Sequence, residues 1–368
     1  MGFESFLGNP KSVSAVRDML VAGRVPHALL FAGPDGVGKK TLAIMLAKAL
    51  SCERLRSDFC GQCAPCRKAD EMLAATQDDL ARRKEIKDSA RRVEGLVYFD
   101  LQLIAPLTRH ILIEQIRQLR HVAYTRPFEL KRRVLIVDQA QAIHWQAIDL
   151  LLKVLEEPPD TTTVILVCPN GYEIRSTIRS RCRRVQFTFI DESILREVLA
   201  KEDRVPAAQR ALVARLAGGS LVKVRSLDLA DFQAKRRPWI DFLENVTAKG
   251  SSPASGVNWK MLFESTKALA EKREQFEDTL RVGYSLCSDL LHFLEGQPES
   301  SILNVDVSSR LKAWAAKLGV SGIVALKNGL DEAYRLQTRN VNQQLGLDVL
   351  ALDVGRATHG NNPKPAGT

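Results

Sequence analysis

Apolar residues return along this chain with two spacings, and the switch between them divides it. In the first half, short unbroken apolar runs alternate with segments whose apolar positions recur every three or four residues. VPHALLFAG (Val25–Gly33), RRVLIVD (Arg132–Asp138), TTTVILVC (Thr161–Cys168) and VQFTFI (Val185–Ile190) read as buried strands. TLAIMLAKALSC (Thr41–Cys52), IEQIRQLRHVA in the stretch from Ile111, and WQAIDLLLKVLEE, stopped by Pro158 and Pro159, read as helices, and an amphipathic segment opens the chain. Strand alternating with helix predicts an α/β domain whose parallel sheet is covered on both faces. After about Ile190 the pattern is helical only: two or three short helices over 191–228, broken at AGGSL (217–221), then further helices beyond 231. KGSSPASGVN (249–258) reads as a loop between helices and RATHGNNPKPAGT (356–368) as a disordered tail.

Composition adds limits rather than a site. A chain of 368 residues has room for two or three domains with their own cores, and 45% apolar with 26% charged residues is a soluble globular balance. No apolar run approaches the roughly 18 residues of a membrane span. The opening MGFESFLGNPK lacks the basic and apolar regions of a secretory signal, and Phe6 stands where a myristoylation signal needs Ser or Thr. The expected compartment is the cytoplasm, with no membrane partner. A net charge of +10 favours an acidic or nucleic-acid partner, but it is spread through mixed clusters such as ARRKEIKDSARR (81–92) and places no binding surface. The charged stretch over about 67–95 reads as an inserted, solvated helix.

Four cysteines follow the first predicted core helix. Cys52, Cys60, Cys63 and Cys66 form C-x7-C-G-Q-C-A-P-C, and two overlapping CxxC spacings beside a fourth thiol suit tetrahedral zinc at about 2.3 Å from each sulfur. A disulfide framework is the competing reading, but nothing marks the chain as secreted. With four sulfur ligands no position remains for water or substrate, so the expected zinc is structural. Cys168, Cys182 and Cys287 stand apart and read as incidental residues.

GPDGVGKKTLA (Gly33–Ala43) carries the candidate chemistry. Gly33, Gly36, Gly38 and Lys39 are the glycines and lysine of a phosphate-binding loop, whose amides cradle phosphates at a helix N-terminus. The next position should be a hydroxyl for magnesium and is Lys40; Thr41, one residue on, is rotated by roughly 100°. Asp138 ends the RRVLIVD strand where a second acidic motif would face the metal, followed by Gln139 instead of a glutamate able to take a proton from water. The next strand ends in Cys168 and Pro169, with Asn170 one step late for a residue that senses the outer phosphate. Three departures in three motifs point away from hydrolysis. A glycine-rich turn without ligand and a loop that holds ATP or ADP without turning it over both remain open.

These residues, in this order, resemble the clamp-loader subunits of bacterial DNA polymerase III, the delta-prime type in particular, within the AAA+ class. The resemblance rests on RVPHALLFAGPDGVGKKTLA, the cysteine quartet, IEQIRQL, RRVLIVDQAQAI, LLKVLEEPPDTTTVILVC and STIRSRCRRVQF, with NVNQQLGLDVLALDV resembling a last collar helix. It implies an AAA+ type domain over 1–187 with a zinc module at about 52–66, a helical lid over 188–230 and a helical collar over 231–355 that joins five subunits into a ring. It also implies gamma/tau motor subunits and a delta subunit as partners, and loading of the sliding clamp onto primed DNA. Arg181, in the SRC motif, then reaches into a neighbour's nucleotide site as an arginine finger. Val222 stands where a motor subunit carries its lid arginine, a further departure from hydrolysis. Two other readings stay in view: an active gamma/tau-like motor ATPase, and a zinc-stabilised DNA-binding protein unrelated to replication.

Overall fold

The computed structural model describes residues 2–88, 90–157, 159–203, 205–248, 258–271, 273–338 and 342–359. They gather into two compact units, Met1–Glu197 with Gly218–Lys223, and Val198–Ala217 with Val224–Thr368.

The first unit is an α/β layer structure. In chain order it holds α1 (Pro10–Val21), β1 (Ala28–Ala32), α2 (Lys39–Ser51), α3 (Ala64–Glu85), β2 (Leu101–Ile104), α4 (Ile113–Ala123), β3 (Arg133–Val137), α5 (Ile148–Glu156), β4 (Thr162–Cys168), α6 (Ser176–Arg179) and β5 (Arg183–Gln186). The five strands run in the order β2-β3-β4-β1-β5, and every pairing is parallel. β1 to β4 are buried at every position, as strands with helices on both faces must be.

Three features differ from the sequence expectation. β2 is a fifth strand inside a stretch with no strand predicted; its four residues between Asp100 and Ala105 are too few for their spacing to declare a period. β5 ends at Gln186 although the apolar run continues to Ile190, because the Asn9 side chain takes over the edge. Its Oδ1 accepts from the Thr188 amide at 2.7 Å and its Nδ2 donates to the Thr188 carbonyl at 3.0 Å. The charged stretch 67–95 is more than a solvated helix: α3 buries Cys66, Ala69, Met72, Thr76 and Arg83. Arg83 pairs with Asp79 at 2.5 Å and donates to the carbonyls of Arg92 at 2.8 Å, Glu94 at 2.9 Å and Gly95 at 3.0 Å, so it fastens the return of the chain toward β2.

At the start of the sheet sits a buried ion pair. Arg133 and Asp100 meet at 2.8 Å with side chains 0% and 1% exposed. The second Asp100 oxygen accepts the amides of Phe128, Glu129 and Leu130 at 2.7, 2.7 and 3.1 Å. Burial alone would raise the Asp100 carboxyl; the amides of Glu129 and Leu130 and the Arg133 guanidinium hold it below the usual carboxylate range.

α7 (Glu192–Glu202), α8 (Ala207–Leu216) and α9 (Leu221–Ser226) follow, separated at the expected break by Gly218 and Gly219, both with positive φ. Then come α10 (Leu229–Thr247), α11 (Trp259–Ala270), α12 (Phe276–Leu294), α13 (Ser308–Thr338, broken at Gly319) and α14 (Gln343–His359). The second unit is all-helical among the described residues, around a core that includes Trp239, Phe242, Leu286, Leu290, Leu326 and Leu350. α13 and α14 approach so closely at Gly329 that an added Cβ would lie 2.5 Å from Leu350 Cγ. α14 runs four residues into the segment read as a tail; 360–368, and nearly all of the loop read over 249–258, lie outside the described residues. No described helix is long and apolar enough to cross a membrane.

Candidate functional site

The loop from Gly33 to Gly38 joins the carboxyl end of β1 to α2, the strand, loop and helix that a phosphate site requires. Gly36 and Gly38 have φ of 77° and 93°, and each is also pressed by its own chain. A Cβ on Gly36 would meet Ser220 Oγ at 1.9 Å, and one on Gly38 the Phe6 ring at 2.9 Å. The Leu221 amide donates to the Gly36 carbonyl at 2.9 Å, which ties the GGSL segment to the loop. Lys39 is turned inward, 6% exposed, its ammonium donating to the carbonyls of Gly33 at 2.5 Å and Pro34 at 2.6 Å. Burial pulls that ammonium below its ordinary range while Asp35 opposes the shift.

Lys40 and Asp138 come together. The Lys40 ammonium stands 3.1 Å from Asp138 Oδ2, with the side chains 47% and 17% exposed. Asp138 is fixed by its amide, which donates to the Ile104 carbonyl at 2.8 Å. An ammonium about 4 Å from a divalent cation opposes it by roughly 2 to 8 kcal/mol over the dielectric range of a protein surface, more than an exposed ion pair itself is worth. The Asp138 carboxylate is thus paired by a lysine of its own chain. Gln139 is exposed and left-handed (φ 55°), its amide bonded to Asp138 Oδ1 at 3.1 Å, and Thr41 is exposed one residue beyond Lys40. Burial pushes the Cys168 thiol up to about 11, and the Asn170 side chain is spent capping the Tyr172 amide at 3.0 Å.

Arg181 lies elsewhere. It stands two residues before β5, at the amino edge of a parallel sheet whose carboxyl edge carries the loop and Asp138. Its guanidinium meets Glu156 Oε1 at 2.7 Å and donates to the Thr177 carbonyl at 2.9 Å, and it stays 37% exposed. Sequence reasoning missed Glu156 as the partner of Arg181. The only signal was that LEEPP and SRC are both motifs; that one holds the other required the fold.

The cysteine quartet closes on itself. Its four sulfurs lie within 4.8 Å of one another, and all four are free thiols. A tetrahedron with sulfur at about 2.3 Å from zinc has edges near 3.8 Å, so the cluster fits this ion. Gly61, with φ 69°, makes the turn that aims the Gln62 and Cys63 amides at Cys60 Sγ, 3.5 and 3.3 Å away; these bonds lower the Cys60 thiol to about 6. Cys63 stands immediately before α3 and Cys66 is buried in its first turn. The module is anchored on its neighbours: Asp58 accepts the Phe3 amide at 3.0 Å, the rings of Phe3 and Phe59 meet edge to face at 6.0 Å, and Lys48 pairs with Asp70.

The first unit thus combines a five-stranded parallel sheet, a glycine-rich loop between β1 and α2, an acid at the tip of β3 paired with Lys40, and a cysteine cluster behind α2. The family model for "DNA polymerase III, delta subunit" matches residues 8–191, half of the chain, and the chain belongs to that family. Among curated relatives it is 28% identical over 205 residues to DNA polymerase III subunit gamma of Buchnera aphidicola (from Acyrthosiphon pisum), covering 54% of this chain and 50% of that one. It is also 28% identical over 233 residues to subunit tau of Escherichia coli, covering 61% and 32%. The chain thus spans half or less of the length of these relatives. Among solved structures, a gamma-subunit-related protein of Thermotoga maritima aligns at a TM-score of 0.41 and 14% identity over 94% of this chain and 99% of that one, too remote to bear on function.

Proposed function

We propose that this chain is a non-hydrolysing, delta-prime-type subunit of the clamp loader, which helps load the sliding clamp onto primed DNA and lends Arg181 to a neighbouring ATPase subunit. The observation that carries the reading is the 3.1 Å contact of Lys40 with Asp138, which puts a fixed positive charge where a hydrolysing site needs a metal ion. On this reading residues 1–187 are the AAA+ type domain, 188–230 the lid and 231–355 the collar of a five-subunit ring with gamma/tau and delta, in the cytoplasm. The loop then serves as a packed joint with Phe6 and Ser220 rather than as an engine.

Arg181 suits the role. It is exposed, and an exposed pair with Glu156 is worth only about 0 to 1 kcal/mol, so giving it up for a neighbour's outer phosphate costs little. A planar fork against developing phosphate charge accelerates transfer by roughly 10³ to 10⁵ fold, about 4 to 7 kcal/mol of barrier. Zinc, held by Cys52, Cys60, Cys63 and Cys66, would cross-link the ends of α2 and α3 and take no part in the chemistry.

The test is magnesium-dependent ATP turnover. The isolated chain is expected to give none above background, and mixtures with motor and delta subunits to turn over briskly. Arg181→Ala should assemble normally yet slow the facing site by roughly 10³ fold. Brisk turnover by the isolated chain would decide for a gamma/tau-like motor, the reading favoured by the names of the curated relatives.

A further inference from the structure

A recess lined by basic residues lies at the amino edge of the sheet, away from the Gly33–Gly38 loop. Arg24, Val25, Pro26 and His27 lead into β1, Arg132 leads into β3, and Pro159 and Asp160 lead toward β4; together they line a cavity of about 290 Å³. β1 is five residues long, so at about 3.3 Å per residue this edge is roughly 16 Å from the loop. Arg181 belongs to the same edge, but neither it nor Glu156 lines the cavity.

Arg132 is the anomalous member. Its Nε is buried without a partner, and its guanidinium makes no hydrogen bond or ion pair to any described residue. Its neighbour Arg133, by contrast, donates to Asp100, Thr125 and Arg126. Burial pulls the Arg132 guanidinium below its ordinary range, and Asp160 offsets this only through space. A half-buried guanidinium with idle donors costs free energy that a bound anion returns. Arg24 and His27 add donors from a separate segment. A carboxylate would satisfy one planar fork, whereas a phosphate offers oxygens to groups converging from different directions.

We propose that the recess lined by Arg24, His27 and Arg132 is a binding site for a phosphate group, with Asp160 as an internal competitor that keeps the affinity moderate. The group comes either from a small phosphate or from a nucleic-acid backbone.

The side-chain Nε–H resonances of arginine in the full-length chain would be followed while inorganic phosphate, and separately a ten-nucleotide single-stranded DNA, is titrated in. The Arg132 signal is expected to shift and saturate. Arg132→Gln should weaken that binding by about tenfold or more, and Asp160→Asn should tighten it severalfold, since each removes or adds one charge-assisted contact. Arg181→Ala should leave it unchanged, which separates this site from the proposed finger. Saturation by phosphate alone assigns a small ligand; saturation by the oligonucleotide where phosphate gives none assigns a backbone. Where Arg132→Gln does not fold, the exposed Arg24→Gln carries the test with a severalfold loss. An Arg132 signal that neither ligand moves, or binding indifferent to Arg24 and Asp160, overturns the proposal.

Discussion

Two adjacent lysines do different work. Lys39 has the position of the phosphate-binding lysine but folds onto the carbonyls of its own loop, whereas Lys40 crosses to Asp138. The sequence made both visible, since a lysine in the hydroxyl position is read directly. It could not show that the Lys40 charge is compensated, because Asp138 is almost a hundred residues away and only the β1-β4-β3 order brings it near. Lys40→Thr should therefore raise affinity for a magnesium–nucleotide complex by about tenfold or more, as a repulsion above 1.4 kcal/mol requires. Hydrolysis should stay slow, because the Gln139 amide accepts no proton. Titration with a fluorescent nucleotide, with and without magnesium, checks this; equal affinities for variant and parent would sink the electrostatic account.

Elements were legible where they were long or strongly periodic. β1, β3 and β4 stand where the apolar runs put them; β2 was too short to announce itself, and β5 was cut short by Asn9 from the other end of its unit. β2 and β3 are nonetheless joined by the buried Asp100–Arg133 pair. Removing one partner of such a pair costs roughly 3 to 5 kcal/mol, so Asp100→Ala should lower the urea midpoint sharply. The Asp100 carboxyl is depressed in the folded chain, so its contribution is complete above its unfolded value near 3.9 and is lost as pH falls through the lower folded value. Stability measured below about pH 4 should drop more steeply in the parent than in Asp100→Ala.

At the same scale, the cysteine quartet was read from spacing alone, while the anchors of its module on Phe3, Lys48 and Asp70 came only from the fold. One zinc per chain is expected by metal analysis. Cys63→Ser should abolish it and loosen the start of α3, seen as faster amide exchange over 59–70. Metal-free parent protein with mutually disulfide-bonded thiols would refute the assignment.

At the scale of the whole molecule, charge said least. The net charge is +10, its basic residues are spread over the chain, and several of them are paired in space: Lys40 with Asp138, Arg83 with Asp79, Arg181 with Glu156. More informative is a guanidinium that is half-buried with an unpartnered nitrogen, as in Arg132, and sequence cannot pick it out. The recess at Arg132 went unseen because its residues come from three segments that only parallel pairing aligns at one edge.

By itself the sequence determined what depends on near neighbours: the α/β then helical succession, the phosphate-loop frame with its misplaced lysine, and the cysteine spacing. These follow from local periodicity and from ligands a few residues apart. Tertiary structure alone decided which charges meet. The fold carries Lys40 to Asp138, Arg181 to Glu156 and Arg132 to an edge where its Nε finds no hydrogen-bond partner among the described residues, and electrostatic energy depends on distance in space, which the fold sets and sequence separation does not.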